Sequence, residues 1–180
     1  AHVYWQRRGA LMVAEKLRLN SKRVVAVRLR QAGLSNMWWP IRLKSSHTYD
    51  RTVISPEDHE KMQLLWLNTT FGLLAWLVYR RDTQGAWVEL QQELLCLVPL
   101  PNPSRLYAKQ VETLLALFDR FKDVEFPPFP EQDAQAAQGQ GIKYELDRAV
   151  LQVLTGEEVD LTPLYSLLAR EPILTLKPLA

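Results

Sequence analysis

Cysteine is nearly absent: Cys96 is the only one in 180 residues. A lone thiol cannot form an intramolecular disulfide, which excludes a disulfide-stapled secreted scaffold and predicts a reducing, cytoplasmic setting. Cys96 lies in an apolar run, where a free thiol is predicted to be an inert core group. Glycine is scarce, with seven residues, and the eleven prolines follow no period, so collagen-like and low-complexity chains are excluded. Catalytic signatures are missing as well. There is no G-x-S-x-G, no phosphate-binding loop, no H-E-x-x-H and no C-x-x-C. No glycine-rich fingerprint follows a predicted strand, so no nucleotide-type cofactor pocket is predicted. The histidines are His2, His47 and His59, and the set His47, Asp50, His59 matches no standard metal spacing. No hydrophobic run is long enough to span a bilayer. Leu64–Tyr79 has 16 residues, includes Asn68, Thr69 and Thr70, and falls short of the ~20 required. Asn68-Thr69-Thr70 also matches a glycosylation sequon, discounted without a secretory signal. Ala1-His2-Val3-Tyr4 has neither an initiator Met nor a signal core and reads as a cut inside a longer protein.

What is present is a globular composition with an uneven charge. Apolar residues make up 47%, enough for one packed domain or one domain with a small appendage. Residues 1–51 hold eleven Lys/Arg against two acids, a balance of +9; residues 52–180 hold eleven against eighteen, a balance of −7. An asymmetry of this size points to a polyanionic partner for the basic part, and the bland alternative is a solvated basic face.

Periodicity divides the chain in the same place. Leu11–Ala14, Arg23–Leu29 and Trp38–Lys44 read as strands, with Gln31–Asn36 as a turn. Alternation puts Val25, Val27 and Leu29 on one face and Arg28 and Arg30 on the other. It likewise puts Trp39, Ile41 and Leu43 opposite Trp38, Arg42 and Lys44. Pro40 marks an edge strand or bulge. Ser55-Pro56-Glu57-Asp58 is a helix start with a capping box. Asn68 caps a second helix, Thr69–Arg81, or marks a kink, and Arg80 and Arg81 suit its negative end. Trp87–Leu90 is a short strand. Apolar residues at 3/4 spacing predict helices over 104–120, 143–154 and 163–170. Residues 122–141, with Pro127, Pro128 and Pro130 and then Gln, Ala and Gly, predict a linker or long loop. The expected fold is α+β: a strand-rich N-terminal half packed on a helical body. Its expected units are 1–121, the linker 122–141 and a helical hairpin 142–180.

Three motifs then occur in order: Leu67-Asn68-Thr69-Thr70-Phe71-Gly72, Thr83-Gln84-Gly85-Ala86-Trp87-Val88 and Leu97-Val98-Pro99-Leu100-Pro101. Gly9–Arg18, Ser35–Pro40 and Leu146–Val150 add to them. This arrangement resembles the C-terminal target recognition region of adenine-specific DNA methyltransferases of the restriction–modification or phage-defence kind. That region is related to the recognition domains of type I restriction specificity subunits. The resemblance spans most of the chain. It implies a mixed α/β domain that reads a DNA sequence in a bacterial cytoplasm. A separate N-terminal domain would bind S-adenosylmethionine and flip the adenine. That domain's "N-P-P-Y"-type and F-x-G-x-G-type motifs are absent here, so the resemblance implies a chain that binds double-stranded DNA without catalysing. No catalytic, cofactor or metal residue is assigned to it, and no membrane.

Recognition sequences vary with the DNA read, so candidate contacts come from physical chemistry alone. Cations neutralise phosphates, and arginine is the commonest reader of guanine. The candidates are Arg7, Arg8, Lys22 and Arg23 near strand starts, and Arg28, Arg30, Arg42 and Lys44 on predicted outward faces. His47, Tyr49 and Arg51 follow in the polar loop 45–51. Trp38 joins them as an indole beside basic residues, able to stack or wedge; its alternative is burial under a loop or against a second domain. Trp66 and Trp76, on Leu-rich helices, are predicted core. The competing function is a protein-interaction module, in which the acidic helices dock a catalytic domain or partner subunit. A third possibility, a complete small enzyme, is testable by titration with S-adenosylmethionine.

Overall fold

One bent strand organises the N-terminal half. The computed structural model describes residues 8–43, 54–82 and 87–171. In it β1 (Gly9–Ala14) passes through Glu15 into β2 (Lys16–Arg18), and the two halves belong to different sheets. β1 is the centre of the first sheet, between β3 (Ala26–Gly33) and β4 (Trp38–Ile41), antiparallel to both. β2 is an edge of the second sheet, antiparallel to β6 (Trp87–Leu90), which also pairs with β5 (Arg80–Asp82). Glu15 fastens the junction: its N–H donates to Met37 O at 3.1 Å, and its carbonyl accepts from Leu90 N at 2.8 Å.

Two helices follow from the predicted start. Ser55 Oγ accepts from Asp58 N at 3.0 Å, and Pro56 opens α1 (Pro56–Leu67). The apolar run then breaks at Asn68-Thr69, as local chemistry requires. Asn68 terminates α1, and Thr69 caps α2 (Thr70–Val78), its Oγ accepting from Gly72 N at 3.2 Å. The Asn68 side chain turns to the sheet. Its Oδ1 accepts from Val25 N at 2.9 Å and Ala26 N at 3.0 Å, and its Nδ2 donates to Ala26 O at 2.9 Å. A side-chain amide thus completes the start of β3. A Cβ on Gly72 would lie 2.3 Å from Trp66 O, so only glycine lets α2 close against the end of α1. α2 stops at Val78, earlier than the predicted Arg81, because residues 80–82 pair as β5 instead. Arg80 still serves the helix end, donating from Nη1 to Leu77 O at 2.9 Å. Among the described residues no helix is long and apolar enough to cross a membrane.

Three further long elements build the body: α3 (Ala108–Phe121), α4 (Phe129–Ala136) and α5 (Gly141–Thr155), with α6 (Thr162–Leu168) behind them. The fold is therefore α+β, with antiparallel sheets and helices segregated along the chain. Two cores result. The first joins both sheets to α1 and α2 around Trp76, which is fully buried and donates from Nε1 to Ala14 O at 3.0 Å. The second lies between α1, α3 and α5, from Met62, Leu65, Leu114, Phe121, Leu146 and Val150.

The expectation of a linker over 122–141 is corrected. α4 forms inside it, and Phe129 completes the first core while Gln132, Asp133 and Ala136 are buried. Prolines 127, 128 and 130 sit at or before the first turn, where a missing N–H costs nothing. The separate C-terminal hairpin is corrected too, since α5 packs on α1 and α3. α4, α5 and α6 also share a buried polar cluster. Lys143 Nζ lies 3.3 Å from Asp133 Oδ1. Asp147 accepts from Thr70 N at 2.9 Å and from the Tyr165 hydroxyl at 2.7 Å. Burial pushes both carboxyls above the usual carboxylate range, against the pull of Lys143.

Candidate nucleic-acid interface

Strand register decides which basic residues meet. Leu11 of β1 faces Arg28 of β3 and Ile41 of β4, and Gly9 faces Gly33. Arg8 precedes Gly9 and Arg42 follows Ile41, so both reach the same end of the first sheet as the outer half of β3. There the Arg42 guanidinium donates from Nε at 3.1 Å and Nη2 at 3.0 Å to Arg8 O. Arg8, Arg30 and Arg42 are all exposed. Neither the Arg8 nor the Arg30 side chain has a carboxylate partner among the described residues.

The register also breaks at this end. From Gly9 to Leu11, two steps along β1 are matched by five along β3, from Arg28 to Gly33. The surplus cannot stay in the ladder, and Leu29, Arg30, Gln31 and Ala32 are all exposed. Period-2 counting gave no sign of this, because alternation assumes a regular strand. It left Gln31 in a turn, whereas β3 runs on to Gly33.

Other candidates go elsewhere. Arg28 is half-buried against α1, with Nε 3.1 Å from Glu60 and Nη2 3.4 Å from Glu57. The expected outward face shared by Arg28, Arg30 and Arg42 is corrected for Arg28, whose guanidinium clamps β3 to α1. Arg23 pairs with Glu125, and Lys22 O accepts from Phe129 N at 3.0 Å. Both lie before Ala26, which faces Val13 at the inner end of the sheet. Trp38 faces Ala14 at that inner end and packs on the first core, half-buried. Its expected place beside exposed cations is corrected: burial was the stronger pull on the indole. Trp39 ties the two sheets, its Nε1 donating to Leu90 O at 3.2 Å. Arg7, Lys44, His47, Tyr49 and Arg51 lie outside the described residues.

A groove of about 780 Å³ lies beside the arginine end, between β3, α1 and the end of α3. Its floor includes Val27, Leu64 and Phe118, and its cations are Arg28, Arg30, Lys61 and Lys122. Three of these are neutralised locally: Arg28 as above, Lys61 by Glu57 and Asp58, and Lys122 by Asp119. The Asp58 hydrogen bond holds the Lys61 ammonium above its usual value, while the Ser55 hydroxyl and Lys61 hold Asp58 below its own. Arg30 alone among the four has no such partner.

Cys96, expected in the core, is exposed on a short 3-10 turn, Gln92–Leu97, where its thiol donates to Glu93 O at 3.2 Å. Among the described residues no three His, Cys, Asp or Glu side chains form a metal-type cluster. Comparison of the chain with protein-family models, with curated proteins and with solved structures finds no match.

Proposed function

We propose that this chain is a DNA-recognition domain, the target-recognition part of an S-adenosylmethionine-dependent adenine-specific DNA methyltransferase. The observation that supports it best is the gathering of three exposed arginines, Arg8, Arg30 and Arg42, at the outer end of the first sheet. In the helical body Lys61, Arg120, Lys122, Lys143 and Arg148 each have a carboxylate in ion-pair range, whereas Arg105, Lys109 and Arg170 are exposed without one among the described residues. At the outer end of the first sheet Arg8 and Arg30 have none among the described residues, and Arg42 lies beside them. Exposed cations of this kind release counterions when they meet phosphates, which is the main source of affinity for duplex DNA. On this reading the chain binds and orients the duplex, while cofactor binding and base flipping belong to a separate N-terminal domain of the same protein.

Fluorescence anisotropy with a labelled duplex tests the proposal. Binding is expected to weaken linearly in log salt, with a slope of about −0.9 per phosphate over roughly five contacts. Reversal of Arg8, Arg30 and Arg42 to Glu is expected to abolish it. Reversal of Arg105, Lys109 and Arg170, exposed on the helical body, changes net charge equally and is expected to leave it nearly intact. Equal weakening by both sets, with both folded by circular dichroism, removes the arginine end as the DNA site. A second reading is favoured by the groove: its apolar floor and mixed-charge rim suit a polypeptide, such as the catalytic domain. It takes the lead if the duplex does not bind.

A further inference from the structure

The irregular half of β3 carries a finer assignment, which rests on the DNA-recognition reading. Affinity and sequence discrimination come from different contacts: phosphates position a protein, and base edges specify the site. Arg8 flanks the start of β1 and Arg42 the end of β4, with the Arg42 guanidinium donating two hydrogen bonds to Arg8 O. Arg30 and Gln31 lie on the surplus backbone of β3, outside the ladder, with neither side chain engaged within the described protein. In a regular strand two neighbours face opposite sides. A bulge re-aims one of them, and bulges recur next to functional sites for that reason.

We propose that the bulge Leu29–Ala32 is the base-reading element, with Arg30 reading a guanine and Gln31 an adenine, and with Arg8 and Arg42 on flanking phosphates. The residue types carry the chemistry. The arginine fork matches guanine O6 and N7, and the glutamine amide matches adenine N6 and N7. Base edges are read from the major groove, about 12 Å wide, and β3 is an edge strand of the first sheet with its surplus residues exposed. Both residues are exposed and neither side chain makes a hydrogen bond, ion pair or ring contact among the described residues, so a change in the site read would leave the fold's polar contacts intact.

Selection of bound duplexes from a randomised library by the full chain tests this. The wild type is expected to enrich a short motif containing both a guanine and an adenine. Arg30→Ala is expected to lose guanine preference at one position, and Gln31→Ala adenine preference at another, each relaxing discrimination there by about five- to 150-fold. Arg8→Ala is expected to keep the motif, weaken binding to all duplexes alike and reduce the salt slope by about one contact. The assignment is overturned if Arg30→Ala and Gln31→Ala enrich the wild-type motif unchanged, or if the wild type binds duplexes with no motif. Failure of the wild type to bind any duplex instead overturns the DNA-recognition reading and the assignment with it.

Discussion

Asn68 shows how one side chain can replace a piece of secondary structure. From its neighbours it reads as a helix cap or a kink, and it does end α1. Its larger role is to pair with the main chain of Val25 and Ala26, which are 0% and 1% exposed. Removing the amide leaves two donors and one acceptor of buried residues without their partner. Asn68→Ala is expected to cost about 3 kcal/mol, since each buried unpaired group costs roughly 1–3. Asn68→Asp keeps the acceptor for both N–H groups and loses only the bond to Ala26 O, so it is expected to cost less at neutral pH. Urea unfolding of the two variants beside the wild type measures the order; equal losses contradict it. Arg28 teaches the converse lesson. Its type marked it as a candidate contact, but Glu60 of α1, 32 positions on in the sequence, decides where it goes.

Among the elements, α4 and α5 carry the buried ionic cluster. Lys143 and Asp133 are 1% and 0% exposed. Breaking such a pair on one side leaves a bare charge inside, so Lys143→Met is expected to cost about 3–5 kcal/mol at neutral pH. The pH dependence has a definite sign. Burial raises Asp133 and Asp147 above their unfolded values, so protonation favours the folded state; that contribution is full below the unfolded value and is lost as pH rises through the folded one. Loss of the Lys143 attraction raises both carboxyls further. The penalty of Lys143→Met is therefore expected to shrink as pH falls from neutral toward 4, as read by urea melts at each pH. A constant penalty contradicts this account. Element boundaries were legible where local chemistry sets them. The Ser55 cap and Pro56 gave α1, and the 3/4 apolar spacing gave α3 and α5. α4 was hidden because its prolines read as a break, although they occupy the turn that tolerates them. β5 was hidden because Arg80 and Arg81 suit a helix end equally well, and only pairing with β6 decides. The arginine end of the first sheet was legible in residue type and charge. Its membership was not, because register and the β3 irregularity are set by long-range pairing.

At the scale of the whole molecule, the chain does not divide at residue 121. Phe129 and Leu168 complete the first core, and Leu146 and Val150 complete the second. A chain ending at Phe121 is expected to lose cooperative thermal unfolding by circular dichroism, whereas the full chain melts in one transition. A cooperative melt of the shortened chain would restore the division. The strand that changes sheets at Glu15 has a different consequence, in the order of synthesis. Every strand of the first sheet has been synthesised once Ile41 is added, but β2 waits for β6, some seventy residues later. Until then its Lys16–Arg18 backbone, continuous with β1 but belonging to a sheet not yet made, has no strand partner and is the kind of open segment that recruits other chains. Lys16 and Arg18, flanking Leu17, put charge on that segment during the wait.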